Sequence, residues 1–191
     1  MDLAARNVLV LKGSKVKIAD FGIAQTLAPG KEIWKMNKKM KLPIQWLAPE
    51  GMKSYTFSSK TDCWSYGMIC FEVVSGGKIP FSSIPLKAIK AHVLSGGTPD
   101  VPVYCSSGVS SIMQSCWVLD PSKRASFKVV LKQLVKQILP HRYTKTIRDI
   151  GALASKSVSQ RLSLCLSLCS CLCSCLCLCL CLCFCLCLSI Q

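Results

Sequence analysis

Acid is scarce in this sequence. Its 191 residues carry 9 Asp+Glu against 24 Lys+Arg, for a net charge of +15. No charge of either sign follows Arg161, so the whole excess belongs to residues 1–161. Such a balance fits nucleic acid or an anionic membrane surface as a partner. No zinc-finger spacing and no RNA-recognition signature accompanies it, which favours a soluble lobe with a basic face and no nucleic-acid partner. No secretory signal precedes the first motif, because Met1 is followed at once by Asp2. Cysteine is sparse before position 162, where only Cys63, Cys70, Cys105 and Cys116 occur, mostly in apolar helical patterns that suit buried small hydrophobes. These absences point to a reducing, cytoplasmic setting for the folded part.

What is present centres on Asp2 to Gly22. The stretch reads Asp2-Leu3-Ala4-Ala5-Arg6-Asn7, then two short apolar segments, then Asp20-Phe21-Gly22. Val8 to Leu11 and Lys15 to Ile18 have the β-branched content of strands, and Lys12-Gly13-Ser14 supplies a turn between them. A hairpin of that size returns Asp20 to the side of Asn7 at its open end. Asp2, five residues before Asn7, reaches the same mouth. Two carboxylates and an amide gathered there make a hard-oxygen site suited to magnesium.

These residues resemble the catalytic loop and metal motif of protein kinases, H-R-D-L-x-x-x-N followed by D-F-G. The resemblance implies that Asp2 orients the substrate hydroxyl and accepts its proton. It also implies that Asn7 and Asp20 hold Mg2+ against the phosphates of ATP, and that Arg6 offsets charge at the transferring group. The segment from Asp20-Phe21-Gly22 to Ala48-Pro49-Glu50 lacks clear periodicity and is long for a connection, which marks a functional loop. In the family it is the activation segment, and its second half, with Pro43, Trp46, Ala48, Pro49 and Glu50, is similar to the tyrosine-kinase form. Arg6 four residues after Asp2 fits the same branch, where Pro43 would form a platform for a tyrosine ring. Lys31, Lys35, Lys38, Lys39 and Lys41 are read either as a solvated loop or as a preference for acid beside the target tyrosine.

Downstream, Thr61 to Val74 is apolar nearly all round, as a helix in the middle of a lobe should be. Asp62 near its start is expected to cap free amides and, by the resemblance, to steady the catalytic-loop backbone. Gly76-Gly77 ends this helix. Ile84 to Leu94, with Leu86, Ile89 and Val93 inward, and Val109 to Trp117 read as further helices, and Ser126 starts a last one through Ile138. Arg124 matches the family arginine that pairs with Glu50. The fold class implied is mainly α: a kinase-like C-terminal lobe with a small β-hairpin at the catalytic loop, followed by a low-complexity tail.

The resemblance covers residues 1–139, with a basic linker at 140–161 and a Leu/Cys tail at 162–191. No Gly-x-Gly-x-x-Gly loop occurs anywhere in the 191 residues, and no glutamate helix precedes the catalytic segment. The expectation is therefore a partial tyrosine kinase, with protein tyrosine and ATP as substrates, inactive as an isolated fragment. A non-catalytic interaction module or a truncated gene product is the alternative. Residues 162–190 are uncharged and alternate leucine with cysteine, and four readings stay open. They are a translated simple repeat, a membrane anchor with the lobe facing the cytosol, a Cys-x-Cys metal segment, and a β-type aggregating segment.

Overall fold

The computed structural model describes residues 2–11, 15–37 and 40–138. The expected hairpin forms: β1 (Val8–Leu11) pairs antiparallel with β2 (Lys15–Ile18), with Val8 opposite Ile18 and Leu11 opposite Lys15. The turn residues 12–14 lie outside the described residues, as do the basic linker, the Leu/Cys tail and every reading attached to them. Among the described residues, no helix is long and apolar enough to cross a membrane.

The segment from Asp20 to Glu50 is less irregular than its sequence implies. β3 (Ile33–Lys35) lies inside it and pairs antiparallel with β4 (Thr56–Ser58). Trp34 sits opposite Phe57, with ring centroids 5.8 Å apart. A three-residue strand carries too little periodicity to be read from sequence, and its stability comes from this cross-strand aromatic pair. Between the strands, α1 (Pro49–Ser54) begins with proline at its first position, where a missing N–H costs nothing.

The centre of the molecule is α2 (Ser59–Val74), buried from Cys63 through Glu72 without a break. It starts two residues earlier than expected, and its cap is Ser58 rather than Asp62. Ser58 Oγ accepts from Lys60 N at 3.1 Å, while Thr61 Oγ1 accepts from Ser58 N at 3.0 Å, a reciprocal capping box. Gly76 and Gly77, both at positive φ, close the other end, with Gly77 N donating to Glu72 O at 2.7 Å.

Three amphipathic helices follow: α3 (Leu86–Leu94) packs against α1 and the Ile44–Trp46 turn, α4 (Ser107–Cys116) against α2, and α5 (Phe127–Ile138) against α4. Ile89 and Val93 of α3 are fully buried, but Leu86 is exposed, because it occupies the first turn before the helix reaches the core. On α5, Phe127, Val130 and Leu134 recur at helical spacing and are all buried. Each contributes roughly 1.5–3 kcal/mol on burial, and Phe127 meets Tyr66 edge-on at 5.8 Å. Cys63, Cys70 and Cys116 are core residues as expected, whereas Cys105 is half-exposed in the loop before α4.

Candidate active site

A short 3₁₀ turn at Ala5–Asn7 leads straight into β1, and this turn sets the geometry of the site. Asn7 O accepts from Ala19 N at 2.7 Å, one residue beyond the last strand pair, so Asn7 and Asp20 emerge together from the hairpin mouth. Asn7 is buried, and its side-chain amide donates to Asp2 O at 2.8 Å. That bond spans the gap between the two ends of the motif and fixes the backbone of Asp2. The Asp2 carboxylate is ion-paired with the Arg6 guanidinium, which also lies 4.4 Å over the Trp46 ring. Arg6 thereby bridges the Asp2 segment to the distal part of the segment from Asp20 to Glu50.

Asp20 adopts φ of +60°, a left-handed conformation that Asp tolerates better than most residues. Its Oδ1 accepts from Gly22 N at 3.1 Å, and Phe21 between them is exposed. Asp20 and Asn7 would offer a bound magnesium the hard oxygens that it takes. No cluster of three or more His, Cys, Asp or Glu suited to a metal occurs among the described residues.

Within the segment from Asp20 to Glu50, Trp46, Ala48 and Pro49 are buried, while Pro43 is half-buried at the start of a 3₁₀ turn over Ile44–Trp46. Gln45 Nε2 donates to Pro80 O at 3.0 Å, tying that turn to the loop after α2. Lys31, Lys35 and Lys41 are exposed, and Lys38 and Lys39 lie outside the described residues. Glu50 meets Arg124 in a two-pronged pair, NH1 to Oε1 at 2.6 Å and NH2 to Oε2 at 2.9 Å. The remaining donors of Arg124 reach Val118 O, Lys60 O and Leu119 O, so all five N–H groups of this buried guanidinium are used. The Lys60 ammonium in turn donates to Arg124 O.

Sequence reasoning missed Glu72. This buried carboxylate on α2 accepts through one oxygen, Oε2, from Ala5 N and from Trp46 Nε1, both at 2.9 Å. It holds the turn behind Asp2 and the indole under Arg6 on the same atom. The signal was available: a single acid inside an otherwise apolar buried run needs partners. Asp62, at the other end of α2, has an enclosed carboxyl, and burial pushes its pKa above the usual aspartate value.

A model of the family described as protein tyrosine and serine/threonine kinase matches residues 1–134. The chain is 37% identical over 137 residues to the megakaryocyte-associated tyrosine-protein kinase of Rattus norvegicus, covering 72% of this chain and 28% of that protein. It is 36% identical over 126 residues to a tyrosine-protein kinase of Hydra vulgaris, covering 66% of this chain and 17% of the relative. To the melanoma receptor tyrosine-protein kinase of Xiphophorus maculatus it is 32% identical over 162 residues, 84% of this chain and 14% of that one. The chain thus spans between 14% and 28% of the length of these relatives.

Proposed function

The chain belongs to the protein-tyrosine kinase branch of the protein kinase family, and from that premise we propose that residues 1–139 are the acceptor-side half of a phosphotransferase. The reaction moves the γ-phosphoryl group of ATP to a tyrosine of a protein substrate. The phenolic oxygen bonds to phosphorus, the bond to the bridging oxygen breaks, ADP leaves, and the phenolic proton passes to Asp2. Asp2 is suited to this because its main chain is held by the Asn7 amide and its carboxylate by Arg6. Arg6 offsets negative charge beside the acceptor. Asn7 and Asp20 would hold magnesium, which when bound neutralises charge on the phosphates. Glu50 and Arg124 fix the segment on which the tyrosine ring would rest, with Pro43 as its platform. A cytosolic location belongs to the same reading, since ATP is the donor.

The observation that carries this reading is the gathering of Asp2, Arg6, Asn7 and Asp20 at one hairpin mouth, closed by the Asn7–Ala19 bond. A second reading, a non-catalytic interaction lobe, draws on the lack of any Gly-x-Gly-x-x-Gly loop in the 191 residues. A site that positions the acceptor but does not cradle the phosphates loses the alignment that supplies much of catalysis. The 191-residue chain alone should therefore transfer no measurable phosphate to a tyrosine peptide. Joined to the small lobe of a tyrosine kinase, with His-Arg placed before Asp2, it should label tyrosine and not serine. Asp2→Asn in that protein should lower kcat by roughly 10²–10⁴-fold, the usual contribution of a positioned base. Unchanged turnover in Asp2→Asn would sink the assignment, and a folded two-lobed protein without labelling would favour the interaction lobe.

A further inference from the structure

Two thiols meet inside the core. Cys63 lies in the second turn of α2 and Cys116 is the last residue of α4. Their sulfurs are 3.8 Å apart, the Cys63 thiol donating to Cys116, and neither residue exposes any surface. Gly67 creates this approach. It follows Cys63 by four residues and so shares its helix face, and a Cβ at Gly67 would stand 2.9 Å from Cys116 Cβ. The missing side chain lets the end of α4 settle against α2 and brings sulfur onto sulfur.

A covalent S–S bond is about 2.05 Å long, and the remaining gap is of the order that χ1 rotation of two cysteines covers. We propose that Cys63 and Cys116 are a modification site, a buried dithiol that a hydroperoxide converts to a disulfide stapling α2 to the end of α4. One thiol takes an oxygen from hydrogen peroxide and becomes a sulfenic acid, releasing the first water. The sulfur of the second attacks that sulfur, the S–S bond forms, and the hydroxyl leaves with the remaining thiol proton as the second water. Two thiols lose two electrons in all, and the peroxide takes them.

The pair reacts slowly in the intact fold. The hydrogen bond that its neutral S–H shares with the Cys63 sulfur, together with burial, pushes the Cys116 thiol well above its usual range and keeps it protonated. Thiolate is the nucleophile, so oxidation waits on opening of the α2–α4 seam. Once formed, the bond reinforces a joint that is already tied without it. Lys60, three residues before Cys63, accepts from Arg124 through its carbonyl, and Ala125 N donates to Ser115 O at 3.1 Å. The staple therefore fixes the part of the lobe that holds Glu50.

The test uses the full chain, reduced, then exposed to hydrogen peroxide, alkylated and digested without reductant. Peptide mapping is needed because eleven further cysteines lie between Cys165 and Cys187. The peptides bearing Cys63 and Cys116 should appear as one species, two hydrogens lighter than their sum, and separate on adding dithiothreitol. In Cys63→Val the same treatment should leave Cys116 alkylated as a free thiol. If the parent map shows both cysteines alkylated, over-oxidised, or joined to tail cysteines with no cross-link between them, the proposal is overturned. The parent map decides the matter even if Cys63→Val does not fold.

Discussion

At the scale of single residues, the lobe depends on a few buried charges whose partners are complete. Arg124 uses all five donors, two of them on Glu50. Removing it strands a carboxylate that is mostly enclosed, so Arg124→Ala should cost about 3–5 kcal/mol. Its neighbour Lys123 is exposed and only 4.0 Å from Asp120, a contact worth at most about 1 kcal/mol. Urea titration of the two variants checks the contrast, and equal midpoints would refute it. Asp62 gives a pH signature of opposite kind. Its folded pKa is raised, so between the unfolded value near ~3.9 and the folded one the native state binds more protons than the unfolded chain. Stability therefore falls as pH rises through that window and levels off above it. Asp62→Asn should remove this contribution, so that the variant gains on the parent between acid and neutral pH in denaturant midpoints. A constant difference across that range would count against burial as the cause. Glu50 and Arg124 were legible in the sequence because each sits in a distinctive short motif. Glu72 was legible only as a buried acid in need of partners, because no local pattern points to the ones it has, Ala5 and Trp46.

At the scale of elements, helix faces were readable and their starts were less so. The apolar run of α2 and the spacing of Ile89 with Val93 have the period of 3.6 that sequence carries plainly. The first turn of α2 was missed because Asp62 is as good a cap residue as Ser58, and only the capping box with Thr61 decides between them. β3 was missed for a related reason: its stability comes from β4, some twenty residues on, and not from its own three residues. The α2–α4 seam yields a sharp prediction. Alanine at Gly67 would gain about 1 kcal/mol in helix propensity, but its Cβ would lie 2.6 Å from Trp117 Nε1 and 2.9 Å from Cys116 Cβ. Overpacking of a core typically costs about 1–3 kcal/mol. Neither neighbour is the loose end of a flexible chain, so the clash should win and Gly67→Ala should lower the melting temperature. A rise would mean that the seam yields more easily than its geometry implies.

At the scale of the whole molecule, the described lobe is joined through contacts that are remote in sequence. Ala5 is 67 residues from Glu72, Glu50 is 74 from Arg124, and Trp46 is 26 from Glu72. This separation explains why the site's residue types were legible while the way they are held was not. Motifs are local, and their fastening is not. It also bears on the order of events during folding. Closing long loops is entropically costly before any contact rewards it, so the turn at Ala5–Asn7 should dock on α2 after the helical core has formed. The Glu72 oxygen then belongs to the late part of the pathway, with its bonds absent from the transition state. Glu72→Gln weakens two charge-assisted bonds by about 1–2 kcal/mol in total. In stopped-flow measurements that loss should raise the unfolding rate by roughly 5–30-fold and leave the refolding rate nearly unchanged. If refolding slows by the larger share instead, the turn carrying Asp2 is part of the folding nucleus. In the expected order, the turn that follows Asp2 is also the first part to come loose when the lobe unfolds.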